Sequence, residues 1–514
     1  MAHLGSGRGR ALALPVGLAL TASLGFLPPG AATAAPADGA PAAVVTDGPR
    51  MSYVVNVTGG HSAARTVKKA IAEAGGSVVI AYDQIGVVVV HSRNPDFAKT
   101  IRTVRGVESA GATRTAPLAA QTSDDLDAEQ PLTAAEAQAA AARAAKSSVD
   151  EDPFEPLQWD LPAMKADQAH RKSLGSRDVT VAVLDSGVDD THPDIAPNFD
   201  RTASASCLNG VPVQKDAAWR PVPGESDHGM HVAGTIAAAK NGFGVTGVAP
   251  GVKVASLKVA DPDTSLYYTE AVVCGFVWAA EHGVDVTNNS YYTDPWLFNC
   301  KSDADQKALV DAVTRASRYA ESKGAVNVAA AGNARTDLAA ETIVDRTSPN
   351  DTHPVERVIE TRDCLDIPSQ LPGVVTVSAT GAKGLKASYS NYGLGVVDIT
   401  APGGDSTAYQ PPQAPATNGL ILSTTFNNGF AFKAGTSMAT PHVAGVAALI
   451  RSTHPKASPA QVKARLYAQA DDLACPDPYD INGDGKVDAV CAGSARDNGF
   501  YGAGMADALD AVRR

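Results

Sequence analysis

The stretch VTVAVLDSGVDDTHPDI, residues 179–195, combines a strand pattern with a candidate reactive residue. Its apolar and β-branched residues run without a break up to Asp185, and Gly187 then marks a turn. Such a run is expected for a strand of a parallel sheet that is buried on both faces. The Asp185 carboxylate then falls at the carboxyl edge of the sheet, where ligand crevices form. Taken alone, Asp185 is explained equally well as a turn residue.

Further apolar runs follow, and helical patterns separate them. The runs are VKVASLKVA (252–260), VDVTNNS (284–290), AVNVAAAGN (325–333) and GVVTVSAT (373–380). Helical periodicity lies between them at 231–239, at 266–281 and at 303–323, where Gly324 supplies a stop signal. This alternation predicts an α/β fold with a doubly wound, mostly parallel sheet.

Three further candidate residues stand at the ends of these elements. His228 begins a helical stretch, Asn333 ends a strand, and Ser437 lies in KAGTSMATPHVAG (433–445), where a helix begins. Each has an ordinary explanation as a capping, polar or turn residue. Together with Asp185 they form the set that acyl transfer requires. A histidine takes the proton of the serine, a carboxylate orients the histidine, and an amide with a backbone N–H stabilises the oxyanion.

Four segments resemble, in this order, the Asp, His, Asn and Ser motifs of the subtilisin-like serine peptidases. They are VAVLDSGVDDTHPDI (181–195), DHGMHVAGTIAA (227–238), VAAAGN (328–333) and GTSMATPHVAG (435–445). The resemblance implies that Ser437 is the nucleophile, His228 the general base and acid, Asp185 the partner of the histidine, and Asn333 the oxyanion donor. It extends from Gln158 to the FYGAGMADALDAV stretch (500–512) near the C-terminus.

Other positions that match the family have implied roles in substrate binding or none in catalysis. His231 and His442 match positions that are not catalytic, whereas Ala331 and Gly332 match substrate-binding positions. The stretch SYYTDPW (290–296) stands where the family has a Ser-Leu-Gly-Gly type segment that pairs with extended substrate.

The substrate-binding stretch departs from the family pattern. Ser290 matches it, but Tyr291 and Tyr292 replace small residues, so we expect reshaped subsites and leave the cleavage preference open. The chain between Asn333 and Ser437 is also longer than in compact subtilisins. Within it, TIVDRTSPNDTHPVERVIETRD (342–363) is expected to form a loop near the cleft.

A structural calcium site is implied by the same resemblance, although the chemistry itself requires no cofactor. The implied ligands are oxygen atoms, which suit calcium: the side chains of Asp194 and Asn241 and the carbonyls of Ala239, Phe243 and Val245. A further ligand is expected near Glu155. Ordinary turn residues are the alternative.

The stretch DPYDINGDGKVDAVC (477–491) is a second candidate calcium loop. Asp480, Asn482, Asp484 and Gly485 match the opening of an EF-hand loop, but the twelfth position is Cys491 instead of Glu. A weak calcium loop and a disulfide-closed polar turn both remain open.

The N-terminus has the pattern of a secretory signal. Arg8 and Arg10 precede an apolar run to Leu27, and small residues follow up to an expected cut after Ala34. The shortness of the run disfavours the alternative, a membrane anchor.

A net charge of -12 gives no general attraction to nucleic acid or to anionic membranes. We therefore expect a secreted, extracellular protein without a membrane anchor or a nucleic-acid partner.

Residues 51–117 have the pattern of a small α+β unit. It comprises a strand at YVVNV (53–57), a helix from Ser62, two strands within 77–92, a short helix at 96–104 and a strand at 107–110. This order resembles the inhibitor-like propeptide of secreted subtilisins; an independent binding domain is the alternative. The following Ala-rich segment has a capping box at Thr133 and Glu136 but no large apolar face, which is typical of a solvated linker.

We accordingly divide the chain into four parts: a signal peptide (1–34), an inhibitor-like propeptide (35–117), an Ala-rich linker containing the maturation site (118–151) and a subtilisin-like catalytic domain (152–514). The resemblance implies polypeptide substrates and a propeptide that acts as an intramolecular inhibitor until it is cut away. We expect a monomer.

All six cysteines lie beyond the signal, and export favours disulfides. Cys475 and Cys491 are the expected local pair. Cys274 lies inside the apolar run AVVCGFVWAA (271–280) and is expected to be a buried free thiol. Six cysteines allow 15 arrangements in all, and the remaining pairings stay open.

The sequence thus predicts a secreted serine endopeptidase that is made as a proenzyme. The first rival is a catalytically silent subtilisin-like binding protein, but no member of the triad is missing. The second is a secreted α/β-hydrolase esterase, which would favour the order Ser, Asp, His and a Gly-x-Ser-x-Gly elbow. The surroundings of Ser437 fit neither feature.

Overall fold

The computed structural model describes residues 48–58, 61–118, 129–146, 151–222, 224–405 and 410–513, with backbone alone for 61–64. The expected signal peptide (1–34) and two parts of the linker (119–128 and 147–150) lie outside these ranges. Within the described ranges, no helix combines the length and the apolar character that a membrane span requires.

Residues 48–118, here called the prosegment sheet, form a four-stranded antiparallel sheet with two helices. The order of the strands is β2-β3-β1-β4. Val67 and Ile71 of the first helix pack on Tyr53 and Phe97 in a small core. The elements follow the predicted order: β1 (Met51–Val57), α1 (His61–Glu73), β2 (Gly76–Tyr82), β3 (Val87–Ser92), α2 (Phe97–Ile101) and β4 (Val107–Ala112).

The Ala-rich segment contains a short strand, β5 (Gln130–Pro131), and a helix, α3 (Ala134–Ala144). The predicted capping box is present, because Thr133 Oγ1 accepts from the Glu136 N–H and a Glu136 carboxylate oxygen accepts from the Thr133 N–H. The segment is not fully solvated, however. Ala140 is buried in an apolar cluster with Leu157 and Phe430. A small apolar side chain is therefore enough to pack this helix against the neighbouring segments.

The remaining elements include the predicted alternation of strands and helices. The helices are α4 (Asp160–Ala163), α5 (Ala166–His170), α6 (His228–Ala237), α7 (Thr269–Glu281), α8 (Ala304–Ser322), α9 (Thr436–Thr453), α10 (Pro459–Ala468) and α11 (Ala508–Ala511). The strands are β6 (Thr180–Asp185), β7 (Ala205–Ser206), β8 (Lys253–Lys258), β9 (Val286–Asn289), β10 (Asn299–Cys300), β11 (Val326–Ala330), β12 (Thr342–Asp345), β13 (Arg357–Glu360), β14 (Cys364–Leu365), β15 (Val375–Thr380), β16 (Ile399–Pro402), β17 (Ile421–Thr425), β18 (Gly429–Lys433), β19 (Gly493–Ser494) and β20 (Asp497–Asn498).

Seven parallel strands form the central sheet in the order β16-β15-β11-β9-β6-β8-β7. Successive residues of β6 point to opposite faces. Val181 and Val183 belong to the core that contains residues of α6 and α9, whereas Ala182 and Leu184 belong to the core that contains residues of α7 and α8. Apolar residues therefore cover both faces, and the predicted doubly wound α/β class is confirmed.

This topology positions three residues of the candidate site. β11, β9 and β6 are adjacent and parallel, so their carboxyl ends meet at one edge of the sheet. Asp185 is the last residue of β6, Ser290 follows β9, and Asn333 lies three residues beyond β11. The order of the strands brings together residues that are far apart in the sequence.

The six cysteines form three disulfides: Cys207–Cys274, Cys300–Cys364 and Cys475–Cys491. The predicted pair Cys475–Cys491 is confirmed. The expectation of a free thiol at Cys274 was wrong, because the segment after β7 places Cys207 against α7. The periodicity of apolar residues can place a cysteine on one face of a helix. It does not identify the cysteine of another element that bonds to it.

The long stretch between Asn333 and Ser437 includes two hairpins that apolar periodicity did not reveal. β12 pairs with β13 inside the predicted loop 342–363. β17 pairs with β18, to which β5 adds a third strand. The loop lies beside the substrate-binding stretch, because the Asn350 side chain donates to the Tyr292 hydroxyl at 2.9 Å and to Asp294 at 2.7 Å.

Candidate active site

His228 and Asp185 form a buried hydrogen-bonded pair. His228 is the first residue of α6, and its Nδ1 lies 2.8 Å and 3.0 Å from the two carboxylate oxygens of Asp185. One of these oxygens also accepts from the Ser186 N–H at 2.7 Å and from the Tyr267 hydroxyl at 3.1 Å. These contacts fix the carboxylate, which holds the proton on Nδ1 and leaves Nε2 to accept another.

Ser437 lies in the first turn of α9, but it is not the helix cap. The helix begins at Thr436 with Gly435 as the N-cap. The Ser437 N–H is therefore one of the first-turn N–H groups that have no partner within the helix. The Ser437 hydroxyl donates to the Ser290 carbonyl at 3.0 Å, and the Ser290 hydroxyl donates to the Ser437 carbonyl at 2.9 Å. This reciprocal pair joins the end of β9 to the start of α9.

Asn333 is held through its side-chain oxygen. Its side-chain oxygen accepts from the Thr436 N–H at 2.9 Å and from the Thr436 hydroxyl at 2.8 Å. A Cβ on Gly435 would lie 3.4 Å from Asn333 Nδ2 and 3.5 Å from the Ser437 nitrogen. Two nitrogen donors thus lie close together beside Gly435, as stabilisation of an oxyanion requires.

The two tyrosines after Ser290 have different surroundings. Tyr291 is 7% exposed, stacks on the Tyr267 ring at 4.5 Å, and donates to the Asn289 side chain at 3.0 Å. Because Tyr267 binds Asp185, Tyr291 supports the Asp185 carboxylate from within the core. Tyr292 instead contacts Asn350 of the long loop.

Ala331 and Gly332 are fixed by their backbones. The Ala331 N–H donates to the Val377 carbonyl at 2.9 Å, and the Gly332 N–H donates to the Thr436 hydroxyl at 3.1 Å. Gly332 has a φ of +96°, and a Cβ there would lie 2.6 Å from Asn391 Nδ2. Backbone conformation and space therefore both favour glycine at this position.

Thr436 and Tyr267 are supporting residues that sequence reasoning did not single out. The place of Thr436 in the GTSMATP motif, one residue before Ser437, was a usable signal. Nothing in the sequence around Tyr267 indicated its contact with Asp185.

His231 and His442 have structural surroundings, as the resemblance implies. His231 Nε2 lies 3.0 Å and 3.1 Å from the carbonyls of Ile421 and Ala431, so it donates to them. His442 lies between the Met438 carbonyl, at 2.7 Å, and the Asp160 carboxylate, at 3.0 Å.

Asp194, an implied calcium ligand, is a buried carboxylate whose charge is only partly compensated, because the Val245 N–H and the Asn241 side chain lower its pKa by less than burial raises it. Burial raises its pKa to about 7, and the nearby Asp152 also acts to raise it. One of its oxygens accepts from the Val245 N–H at 3.0 Å. The other, Oδ1, has no hydrogen-bond partner in the described part of the chain. A buried polar atom of this kind requires an explanation, and a cation supplies one.

The residues around Asp194 fit calcium with one change to the implied ligand set. Asn241 lies close by, its side chain donating to the Pro193 carbonyl at 3.1 Å and accepting from the Phe243 N–H at 2.9 Å. Glu155 is paired with Lys240 at 2.8 Å. Asp152 is the carboxylate close enough to act on Asp194, so it replaces Glu155 as the expected ligand from the N-terminal segment.

The loop at 480–491 is closed by its own hydrogen bonds. Asp480 accepts from the N–H groups of Gly483 at 2.7 Å, Asp484 at 3.1 Å and Gly485 at 2.8 Å. Asp484 accepts from the Lys486 N–H at 2.9 Å, and its other oxygen lies 3.5 Å from the Lys486 ammonium. These contacts, together with the Cys475–Cys491 bond, form a disulfide-closed polar turn.

A parallel α/β sheet carrying Asp, His and Ser in this chain order, with an asparagine amide beside the serine, defines a serine-type peptidase. Comparison with known proteins agrees. Residues 176–504 match the model of the Peptidase_S8 subtilase family. Subtilisin BL of Lederbergia lenta is 31% identical over 334 residues, which cover 65% of this chain and 97% of the relative. Subtilisin E of Bacillus subtilis strain 168 is 33% identical over 312 residues, 61% and 65% of the two chains. This chain belongs to the subtilase family and is a serine-type endopeptidase.

Solved structures show the same fold. The epidermin leader peptide processing serine protease of Staphylococcus aureus matches with a TM-score of 0.64 and 22% identity, over 90% of this chain and 98% of the other. Fervidolysin of Fervidobacterium pennivorans, a keratinolytic enzyme related to subtilisin, matches with a TM-score of 0.58 and 23% identity, over 90% and 61%.

Proposed function

We propose that this subtilase is secreted as a proenzyme and hydrolyses peptide bonds through an acyl-enzyme on Ser437. The observation that carries the proposal is the alignment of the Asp185–His228 pair and the Asn333 and Ser437 donors at one edge of the sheet. The Ser437 hydroxyl leaves the Ser290 carbonyl and passes its proton to His228 as it attacks the substrate carbonyl. His228 returns that proton to the leaving amine, and water then releases the acyl group by the reverse route.

The prosegment sheet acts in this proposal as an intramolecular inhibitor. Its last residues lie against the catalytic domain: Arg114 pairs with Glu270 at 2.6 Å, and the N–H groups of Thr115 and Ala116 donate to Asp351 at 2.7 Å and 3.0 Å. Asp351 is next to Asn350, which contacts the substrate-binding stretch at Tyr292. The residues that follow Ala116 therefore begin beside the proposed cleft. Removal of the prosegment should open access to that cleft.

Secretion and calcium binding complete the proposal. All six cysteines are paired, which agrees with export to an oxidising compartment. Calcium would be held by oxygen atoms of Asp194, Asn241 and Asp152 together with neighbouring carbonyls, and its charge would compensate carboxylates that burial destabilises. The enzyme then acts as a monomer on polypeptides outside the cell.

The test compares the full chain with Ser437→Ala and with Ser452→Ala, a matched control in the same helix. Each protein is treated with a fluorophosphonate probe and a labelled protein substrate, and its N-termini are determined by mass spectrometry. We expect probe labelling, hydrolysis and self-cleavage in the parent and in Ser452→Ala, and none in Ser437→Ala. Labelling without hydrolysis of any polypeptide would favour the esterase rival, and absence of labelling in the parent would favour the silent binding protein.

A further inference from the structure

Asp366 is a buried acid that the proposed mechanism does not use. It is 1% exposed, and its Oδ1 has no hydrogen-bond partner among the residues that the structure describes. Burial raises the pKa of Asp366 to about 8, the Ser369 hydroxyl offsets part of this rise, and Asp294 adds to it. A carboxyl group in such surroundings destabilises the fold unless something compensates its charge.

Asp366 lies between the two segments that flank the nucleophile. On one side, the Thr293 N–H donates at 2.7 Å to the carbonyl of Ile367, the residue after Asp366. Thr293 continues the stretch that begins at Ser290, whose carbonyl accepts from the Ser437 hydroxyl. On the other side, a Cβ on Gly332 would lie 3.7 Å from Asp366 Oδ2. The carboxyl group therefore faces the backbone immediately before the Asn333 donor.

The second buried acid of this region, Asp294, is already satisfied. One of its oxygens accepts from the Tyr267 N–H at 2.5 Å, and the other accepts from Asn350 Nδ2 at 2.7 Å. Its role is to hold the long loop and the Tyr267 segment together. It also adds negative potential beside Asp366, which makes the place between the two segments favourable for a cation.

We propose that Asp366 is a specificity-determining residue that selects lysine or arginine immediately before the scissile bond. The inference rests on the proposed function, because it takes the scissile carbonyl to lie at Ser437 and Asn333. The side chain on the carbon before that carbonyl then enters between the Tyr292 and Gly332 segments. The Asp366 carboxyl group is a neighbour of the Gly332 backbone, since a Cβ at that position would lie 3.7 Å from its Oδ2. An ammonium or guanidinium group supplies the missing partner of Oδ1.

The preference depends on pH with a defined sign. The titratable groups that face Asp366 are Asp294 and the phenol of Tyr292, and burial keeps that phenol uncharged by raising its pKa well above the usual value. Asp366 binds a cationic side chain when it is ionised. The ratio of kcat/KM for an arginine peptide to kcat/KM for its leucine counterpart should therefore rise with pH and level off above about 8. A change with pH that affects both peptides equally cancels in the ratio.

The test measures kcat/KM on peptides that differ only in the residue before the cleaved bond: arginine, lysine, leucine or phenylalanine. The parent should prefer the two basic peptides. Asp366→Asn should lower kcat/KM for them by about 10- to 100-fold, the range for loss of a charged hydrogen bond, and leave the neutral peptides nearly unchanged. Asp366→Ser provides a second variant in case the amide of asparagine finds its own partners.

Controls separate the possible failures. Asp294→Asn should reduce the preference less than Asp366→Asn, and an equal loss from both would overturn the specific role of Asp366. A parent enzyme that is labelled by a fluorophosphonate but prefers leucine or phenylalanine would overturn the inference and leave the proposed function intact. A parent that is not labelled would instead contradict the proposed function.

Discussion

At the scale of single residues, each reactive group is oriented by a neighbour with no reactive role of its own. The Tyr267 hydroxyl donates to the Asp185 carboxylate. Ser290 hydrogen-bonds both the hydroxyl and the carbonyl of Ser437. The Thr436 hydroxyl donates to the side-chain oxygen of Asn333 and so fixes its amide. Positioning of this kind keeps hydrogen-bond donors and proton acceptors in place before the substrate binds. Electrostatic catalysis depends on such preorganisation. Changes in the supporting residues should therefore reduce activity by graded amounts.

Asn333→Ala should lower kcat by about 10²–10³, the loss known for the corresponding donor in subtilisin. The reason is the loss of one of two donors to the oxyanion, with KM little affected. Thr436→Val should give a smaller loss of the same kind, because the amide remains but the hydroxyl that holds it is removed. Steady-state kinetics on one peptide substrate measures both. Full activity of Asn333→Ala would refute the oxyanion assignment.

At the scale of secondary-structure elements, the site is assembled from the ends of strands and the beginnings of helices. β6 and β11 deliver Asp185 and Asn333, while α6 and α9 begin at His228 and Thr436. The loop after α6 and the segment before α4 together enclose Asp194. Such ends carry the free backbone groups that irregular segments must satisfy. They are also where a bound ion stabilises the fold most directly.

Calcium should stabilise the folded chain at neutral pH through Asp194. The folded-state pKa of Asp194 is raised from 3.8 to about 7, so the ion-free protein should lose stability as pH rises from about 4 to about 7. Calcium at 100 times its Kd should restore about 2.7 kcal/mol above pH 7. Calorimetry of Ser437→Ala, which prevents self-digestion, measures this in chelator and in calcium.

The matched variants for this experiment are Asp194→Ala and Asp480→Ala, each in the Ser437→Ala background. The calcium-dependent rise in Tm should disappear with Asp194→Ala and persist with Asp480→Ala. A rise that depends on Asp480 instead would assign the ion to the loop at 480–491.

At the scale of the whole molecule, the prosegment sheet is held by a buried ion pair as well as by exposed ones. Arg114 and Glu270 are 7% and 1% exposed, and the Arg114 guanidinium also lies over the Tyr268 ring at 3.8 Å. Burial alone would raise the pKa of Glu270, but the charge of Arg114 and the hydrogen bonds to the carboxylate together outweigh burial, and the pKa is lowered. Arg102 pairs with Asp305 at a more exposed position. The two pairs should therefore differ in their effect on stability.

Arg114→Ala should destabilise the uncut chain by about 3–5 kcal/mol, because Glu270 is left buried without its partner. Arg102→Ala should cost about 1 kcal/mol or less, as exposed pairs do. Both are measured by denaturant unfolding of the full chain in the Ser437→Ala background, where the prosegment stays attached. Equal effects of the two substitutions would contradict a dominant role for the buried pair.

The sequence by itself determined the fold class and predicted the set of candidate reactive residues. A strand buried on both faces must be apolar along its length, and acyl transfer needs a particular set of residue types, so both leave local patterns around Asp185, His228, Asn333 and Ser437. The Cys475–Cys491 bond was also predictable, because its loop closes within 16 residues. Each of these features depends on residues that lie close together in the sequence.

Only the tertiary structure decided which distant residues meet. The Cys207–Cys274 bond, the Tyr267–Tyr291 stack beneath Asp185, the Asp152–Asp194 pair and the place of Asp366 beside Gly332 all join segments that no periodicity relates. Burial, which sets the charge state of Asp194 and Asp366, arises from the packing of several elements at once. The sequence therefore predicted the class of chemistry, whereas long-range packing decided which groups surround the candidate site.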